Sequence, residues 1–134
     1  MMAEFMKAKQ EVFQKESGRE GVDFIVKTKS GNKHELVLQT LELDKQRSLK
    51  IPKQQLGELK DNLWIVLILF MEEEALGSFL IPSKIFTTPD DYIFKDNPQS
   101  DIFAHFANWE IKVFKDGMDK LNEYQLVNQV KNLI

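Results

Sequence analysis

The sequence predicts an α/β domain with a central mixed β-sheet flanked by helices. In residues 21–43, two β-branched and aliphatic runs flank a Ser-Gly-Asn cluster. This pattern is typical of a β-hairpin, because Gly and Asn tolerate the positive φ that a tight turn needs. Residues 63–71 form the longest apolar run, which is typical of a strand covered on both faces. We therefore expect both segments in one sheet, with helices packed against it.

Size and composition are those of a globular protein. The 134 residues predict a single domain, 1–134. Hydrophobic residues make up 43% and charged residues 29%, close to globular averages, so a core is expected. The chain has no Cys, which excludes disulfides, thiolate metal sites and a Cys nucleophile and fits a cytoplasmic location.

Charge and hydropathy indicate which partners, nucleic acid or membrane, the chain is expected to have. The net charge of -3 argues against nucleic-acid binding over the whole surface but allows a local basic patch. The apolar run at 63–71 is far shorter than the ~20 residues that span a bilayer. Charges near the N-terminus indicate no secretion signal. We therefore expect a cytoplasmic protein with no membrane partner.

The first predicted element is a helix over residues 3–16. Phe5, Ala8 and Val12 recur at helical spacing, and Gly18 suits the position just past a helix end. The helix would carry Glu11.

The hairpin follows, with Asp23 near the start of its first strand. In its second strand, Glu35, Val37 and Gln39 point to one face, and Leu36 and its alternate neighbours point to the other. Residues 36–41 are largely apolar on both faces. A buried Gln39 needs hydrogen-bond partners, so it is either a satisfied core amide or part of a site.

Residues 44–60 are the most basic segment. Residues 48–51 predict a short strand, and Pro52 suits the first turn of a helix over 53–60 that Gly57 interrupts. A solvated surface and a phosphate-facing patch both account for its cations. These cations are Lys45, Arg47, Lys50, Lys53 and Lys60.

Residues 72–134 are predicted to form turns, strands, loops and helices. We expect a turn at residues 72–74 and a strand at 75–81 that is antiparallel to 63–71. We expect a short helix or turn at 82–86 and a loop at 87–100, apart from a short extended segment at 92–94. Residues 101–108 predict a short helix, 109–114 a half-exposed strand, and 115–134 a helix broken near Asn122. Along 63–71, one face holds Trp64, Val66, Ile68 and Phe70, and the other holds Ile65, Leu67 and Leu69.

Common catalytic motifs are missing. No Gly-rich phosphate loop and no Gly-x-Ser-x-Gly nucleophile motif occurs. His34 and His105 are far apart in the sequence, and both are expected to be structural. Two histidines without Cys argue against a zinc site.

The order of elements resembles the PD-(D/E)xK nuclease superfamily, which has the restriction-endonuclease-like fold, and in particular its small bacterial members. The first strand, Gly21-Val-Asp23-Phe-Ile-Val, matches the Gly-x-Asp strand of that family. In the family, this Asp and a Glu or Gln on the next strand bind a divalent metal, and a Lys positions and activates the attacking water. The resemblance covers about residues 20 to 82.

The resemblance places Asp23 at the metal-binding Asp position but leaves the catalytic pair degenerate. Leu36-Val-Leu-Gln-Thr40 matches the second strand, with Val37 where the family has Glu or Gln and Gln39 where it has Lys. A register shifted by two residues puts Glu35 at the acidic position and still lacks the Lys. The candidate catalytic residues are therefore Asp23, Glu35 and Gln39.

Three functions follow as hypotheses. The first is a non-catalytic nuclease-like module that has no cofactor. Such a module would act in regulation or would bind nucleic acid through the basic segment. The second is an active Mg²⁺-dependent endonuclease whose metal site has migrated to Asp23, Glu35 and Glu11. The third is a protein-interaction domain with no nucleic-acid role.

The resemblance also predicts a homodimer. The family usually has a further strand between the helix and the Gly-x-Asp strand, and here only residues 17–20 separate them. An uncovered strand edge invites pairing with a second chain.

Overall fold

Two β-sheets and several short helical segments make up the described chain, which in this computed structural model is residues 11–14, 22–28, 30–99, 103 and 106–133. The strands are β1 (Glu11–Gln14), β2 (Phe24–Lys27), β3 (Lys33–Glu42), β4 (Ser48–Pro52), β5 (Leu63–Met71), β6 (Glu74–Pro82), β7 (Phe94–Asn97) and β8 (Asn108–Lys112). The α-helices are α1 (Lys53–Leu56), α2 (Met118–Leu121) and α3 (Leu126–Gln129). Short 3-10 segments occupy Ser83–Thr87, Lys115–Gly117, Asn122–Tyr124 and Val130–Asn132.

The first sheet has five strands in the order β1-β2-β3-β5-β6. β3 and β5 run parallel, and the other neighbouring pairs are antiparallel. The crossover between β3 and β5 contains β4 and α1. The predicted mixed sheet, which holds the hairpin and the apolar strand, is therefore confirmed.

The two faces of β5 belong to two core clusters, as the alternation predicts. Ile65, Leu67 and Leu69 are buried in one cluster. Trp64 and Val66 are buried in the other. A strand with hydrophobic residues on both faces must be covered on both, and the two covers are different.

A second sheet, with strand order β4-β8-β7, covers one face of the first. Its inner side chains Ile51, Phe94 and Ile111 are fully buried in the same cluster as Val37 and Leu67. The sequence predicts a sheet flanked by helices; on this face a second sheet takes the place of helices.

The last helical segments, from Leu126 to Asn132, cover the opposite face of the first sheet. Leu126, Val130 and Leu133 pack in one cluster with Leu36 and Trp64. The predicted helix over 115–134 is a chain of short α and 3-10 turns, interrupted at Gln125. No helix in the described part of the chain is long and apolar enough to cross a membrane.

The helix expected over residues 3–16 is wrong for residues 11–14, which form β1; the rest of that prediction lies outside the described residues. β1 pairs antiparallel with β2, with Val12 opposite Val26 and Phe13 opposite Ile25. This pairing overrides the helical spacing of the apolar residues. β1 also occupies the edge of β2 on which the predicted dimer depended, and the homodimer stays a prediction.

Other boundaries differ from the sequence expectations. α1 ends at Leu56 because Gly57 has φ 76° and ψ -153°, a conformation that only Gly adopts readily. The expected loop over 87–100 contains β7, which pairs with β8. Of the expected helix over 101–108, half of the residues lie outside the described part of the chain, and Asn108 begins β8.

Candidate functional site

The predicted catalytic positions lie along one face of the first sheet. Glu35, Val37 and Gln39 alternate along β3, so they share a face. Asp23 comes directly before β2, whose first residue pairs with Leu36, so Asp23 is level with Val37. The topology therefore places Asp23 between the levels of Glu35 and Gln39.

The Asp23 carboxylate is used by the main chain. The Leu38 N–H donates to Asp23 Oδ2 at 2.7 Å, and the Asp23 N–H donates to the Leu36 carbonyl at 2.9 Å. The paired register of β2 with β3 begins at Phe24, opposite Leu36. The carboxylate therefore accepts a hydrogen bond from the Leu38 amide, which lies beyond the end of β2 and would otherwise have no main-chain acceptor on that side.

The Glu35 carboxylate is held by the crossover. Its Oε1 lies 2.6 Å from Lys60 Nζ, and the Glu35 side chain is only 16% exposed. The Glu35 N–H also donates to the Asn62 carbonyl at 2.7 Å. Since a half-buried carboxylate needs a compensating cation, the ion pair fixes the end of the crossover to β3.

The remaining predicted site positions do not complete a metal site. Val37 is fully buried and has no ligand atom, and Gln39 is half-buried. Glu11 lies opposite Lys27 on β2, four residues along that strand from Asp23. At ~3.4 Å per residue, the Glu11 backbone is roughly 14 Å from Asp23 along the sheet. No three His, Asp or Glu side chains of the described residues are grouped as metal ligands.

His34 is buried in the first sheet. Trp64 Nε1 donates to His34 Nδ1 at 3.0 Å, and the two rings meet edge to face with centroids 6.1 Å apart. This bond fixes the ring orientation, in keeping with the structural role that the sequence predicts. His105 lies outside the described residues.

Three of the five predicted nucleic-acid-binding cations are compensated by acids. Lys45 pairs with Glu42 at 2.8 Å, and Lys60 pairs with Glu35. Lys53 pairs with Asp96 at 2.5 Å and lies 4.1 Å from the ring centroid of Trp109. Arg47 and Lys50 have no ion-pair partner among the described residues. The basic segment is therefore not one continuous patch.

Other lysines join Lys50 on the side of the second sheet that faces away from the core, which we call the outer face. Lys50 on β4 and Lys95 on β7 lie opposite Glu110, on the two sides of β8. Lys112 lies two residues further along β8, opposite Ser48. Because directly opposed and alternate residues share a face, these side chains form one group. Its members are Ser48, Lys50, Lys95, Asn97, Asn108, Glu110 and Lys112.

Glu110 is the buried centre of this group, with 9% of its surface exposed. The Asn97 Nδ2–H donates to its Oε1 at 3.0 Å. This amide, together with the Ser48 hydroxyl and the charges of Lys50 and Lys112, holds the pKa of Glu110 below its usual value, against the opposing effect of burial. The carboxylate therefore stays ionised and orders the amides and lysines around it.

Two exposed aromatic side chains stand near one end of the outer face. Phe103 and Phe106 are 51% and 59% exposed, with ring centroids 6.3 Å apart. The Asn108 Nδ2–H donates to the Phe106 carbonyl at 3.1 Å, which ties Phe106 to the start of β8.

Sequence reasoning missed Lys95, Asn97, Glu110 and Lys112 as a group. The alternation in 109–114 indicates a half-exposed strand and could have identified Glu110 and Lys112 as neighbours on one face. Lys95 and Asn97 lie in a segment rich in Asp, Asn and Pro, which favours a loop. Comparison of the chain with protein-family models and with curated proteins gives no match.

Proposed function

We propose that this chain is a non-catalytic module with a nuclease-like fold, which binds single-stranded nucleic acid on the outer face of its second sheet. The observation that carries this proposal is the group of Lys50, Lys95 and Lys112 around one ordered carboxylate. Strand pairing places the three cations on a single surface.

The nuclease-like part of the proposal is supported by strand topology. β1, β2 and β3 form an antiparallel series, and a crossover then leads to β5, parallel to β3. β1 precedes the Gly-x-Asp segment, where the family usually has a further strand, and this supports the proposal. Asp23 lies at the level of the degenerate catalytic pair.

The absence of catalysis is inferred from what the predicted site residues already do. Asp23 accepts the Leu38 amide, Glu35 pairs with Lys60, and Val37, which is level with Asp23, is buried. A Mg²⁺ site requires several converging oxygens, because the ion otherwise keeps its waters. Recruiting these carboxylates to a metal would leave a main-chain amide and a lysine without their partners.

The choice of single-stranded nucleic acid is supported by the chemistry of the outer face. Lysines contact phosphates regardless of sequence, and exposed aromatic rings stack on unpaired bases. The outer face offers Lys50, Lys95 and Lys112, and the exposed rings of Phe103 and Phe106 lie near the Asn108 end of this face. The buried Glu110 offsets one of the three lysine charges, so the group is net positive although the whole chain is acidic.

A triple variant tests this surface. Lys50→Gln/Lys95→Gln/Lys112→Gln should lower the affinity for a labelled single-stranded oligonucleotide roughly 10- to 100-fold at ~0.1 M salt, because three phosphate contacts are lost. Each lost contact should also reduce the slope of log affinity against log salt concentration by about 0.7. Fluorescence anisotropy over a series of salt concentrations measures both quantities.

The matched control also removes three lysine charges, but at positions outside the outer face. Lys33, Lys84 and Lys131 are exposed and lie outside the outer face, so Lys33→Gln/Lys84→Gln/Lys131→Gln should leave affinity nearly unchanged. Equal losses in the two triple variants would mean that net charge, not this surface, governs binding. No salt-dependent binding by the wild type would refute the proposed function.

A further inference from the structure

Among the described residues, none pairs with the outer edge of β6 along about half of its length. β6 is the last strand of the first sheet and pairs with β5 on one side. On its other side, the described chain forms one isolated antiparallel bridge, between Phe79 and Gln125. From Glu74 to Ser78, no described residue pairs with this edge. The pairing with β5 shifts by one residue at Leu76, and the strand edge on either side of this irregularity presents main-chain donors and acceptors to a further strand.

An apolar groove of about 430 Å³ runs beside the open edge. Its walls are β6 and the C-terminal helical segments, and Leu43 and Leu69 contribute to its lining. Leu76 and Val127 also line the groove, although they are 58% and 66% exposed. Large apolar side chains gathered in one exposed groove are typical of an interaction site.

We propose that this groove binds an extended peptide segment of a partner protein, which adds an antiparallel strand to β6. Main-chain hydrogen bonds to the edge would provide affinity, and alternate apolar side chains of the peptide would fill the groove between Leu76 and Val127. The segment carries Lys or Arg at its C-terminal end.

In our proposal the added strand runs in the direction that the chain has at the existing bridge. Gln125 pairs antiparallel with Phe79, so it stands where the added strand would begin. A strand that continues along this line ends beside Glu74, at the β5–β6 turn.

The charge of that turn sets the chemistry of the C-terminal end of the segment. Glu72, Glu73 and Glu74 are all exposed there, and none forms an ion pair with a described residue. Three adjacent carboxylates favour a basic partner and disfavour an acidic one.

A second copy of this chain fits the edge less well. Two β6 strands paired about a two-fold axis at Leu76 would place Glu74 opposite Ser78. Glu73 of the second copy, which lies in its acidic turn, would then be opposite Phe79. Gln125 already pairs with Phe79 at that position. A free peptide segment has no such turn attached.

This site is independent of the proposed nucleic-acid surface. The groove lies on the edge of the first sheet, and the outer face belongs to the second. Variants of one surface leave the other intact, so either proposal can fail alone.

Selection from a phage-displayed library of random linear peptides tests the groove, with Leu76→Asp/Val127→Asp as the counter-selection. Both side chains are largely exposed, so this variant should fold. We expect enriched peptides with alternating apolar residues and a C-terminal Lys or Arg. A synthetic winner should bind the counter-selection variant roughly 10- to 100-fold more weakly than the wild type.

Main-chain pairing and charge are then tested on the same winner. N-methylation of one set of alternate amides should abolish binding, and methylation of the other set should not, because only one set faces the edge. Glu72→Lys/Glu73→Lys should weaken binding. Failure to enrich any peptide, or equal effects of the two methylated sets, would overturn the proposal. A concentration-dependent dimer in light scattering that Leu76→Asp/Val127→Asp abolishes would also overturn it, in favour of a second copy.

Discussion

Replacing Leu67 with alanine should lower the free energy of unfolding by about 2–5 kcal/mol. The Leu67 side chain is fully buried on the face of β5 that packs against the second sheet. It lies level with Gln39 on β3 and Phe79 on β6, so neighbouring strands on both sides limit relaxation of the cavity. The loss therefore combines lost burial with a persistent void.

Reversible denaturant unfolding measures this effect. Val127→Ala is the matched control, since Val127 is 66% exposed and its truncation should change stability by less than about 0.5 kcal/mol. A loss below about 0.5 kcal/mol for Leu67→Ala would contradict the position of β5 between the two covering layers.

Replacing Asp90 with alanine should destabilise the protein by about 3 kcal/mol at neutral pH. Asp90 Oδ1 accepts the main-chain N–H groups of Tyr92, Ile93 and Phe94 at 2.8, 3.1 and 2.9 Å. Asp90 Oδ2 lies 2.5 Å from Lys120 Nζ, which joins the start of β7 to α2. Alanine would leave three amides and one ammonium group without this acceptor.

The Asp90 carboxyl also makes stability depend on pH. Burial acts to raise its pKa, but the Lys120 ammonium and the amides of Phe94 and Tyr92 outweigh burial, and the pKa is lowered overall. A lowered folded-state pKa gives stabilisation that is complete above the unfolded value of about 4 and is lost as pH falls through the folded value. Glu110, whose pKa is also lowered, acts in the same direction.

Melting temperatures of four proteins, the wild type, Asp90→Ala, Asp90→Asn and Asp91→Asn, between neutral and acidic pH test the role of Asp90. Asp90→Asn keeps one acceptor oxygen and loses the charge, so it should be less destabilised than Asp90→Ala. Its difference from the wild type should shrink below pH ~4. Asp91→Asn is the matched control, since Asp91 is exposed and has φ 58°, which Asn tolerates. A constant difference across the pH range would contradict the role of the charged form.

The first sheet was largely predictable because its signals are local. The Ser-Gly-Asn cluster marks the hairpin turn, and the apolar run at 63–71 can be satisfied only by burial on both faces. β6 follows from a charged turn and a second apolar run. Each of these patterns is contained within the segment that it describes, so tertiary structure did not need to be known.

The second sheet and β1 depend on partners that are distant in sequence. β1 and β7 are four residues long, too short for periodicity to distinguish strand from helix or loop. Their pairings with β2 and β8 decide their structure. The three-stranded sheet joins strands from residues 48 to 112, and no local pattern specifies that order.

The candidate site shows the same division. Asp23 could be identified by its Gly-x-Asp context, but its bond to the Leu38 amide depends on where β2 begins. The Lys60–Glu35 ion pair depends on how the crossover returns to β3. Lys95 and Lys112 meet Lys50 only because β7, β8 and β4 are neighbours.

The most direct test of a binding module without catalysis is a combined binding and cleavage assay in Mg²⁺ or Mn²⁺. Plasmid and labelled single-stranded substrates are incubated with the wild type and with Asp23→Asn, which retains an oxygen acceptor for the Leu38 amide but removes the charge. We predict that both proteins retard the single-stranded probe in a salt-dependent manner and that both leave all substrates intact. Cleavage by the wild type that is lost in Asp23→Asn would contradict this account and would establish a metal-dependent site at Asp23.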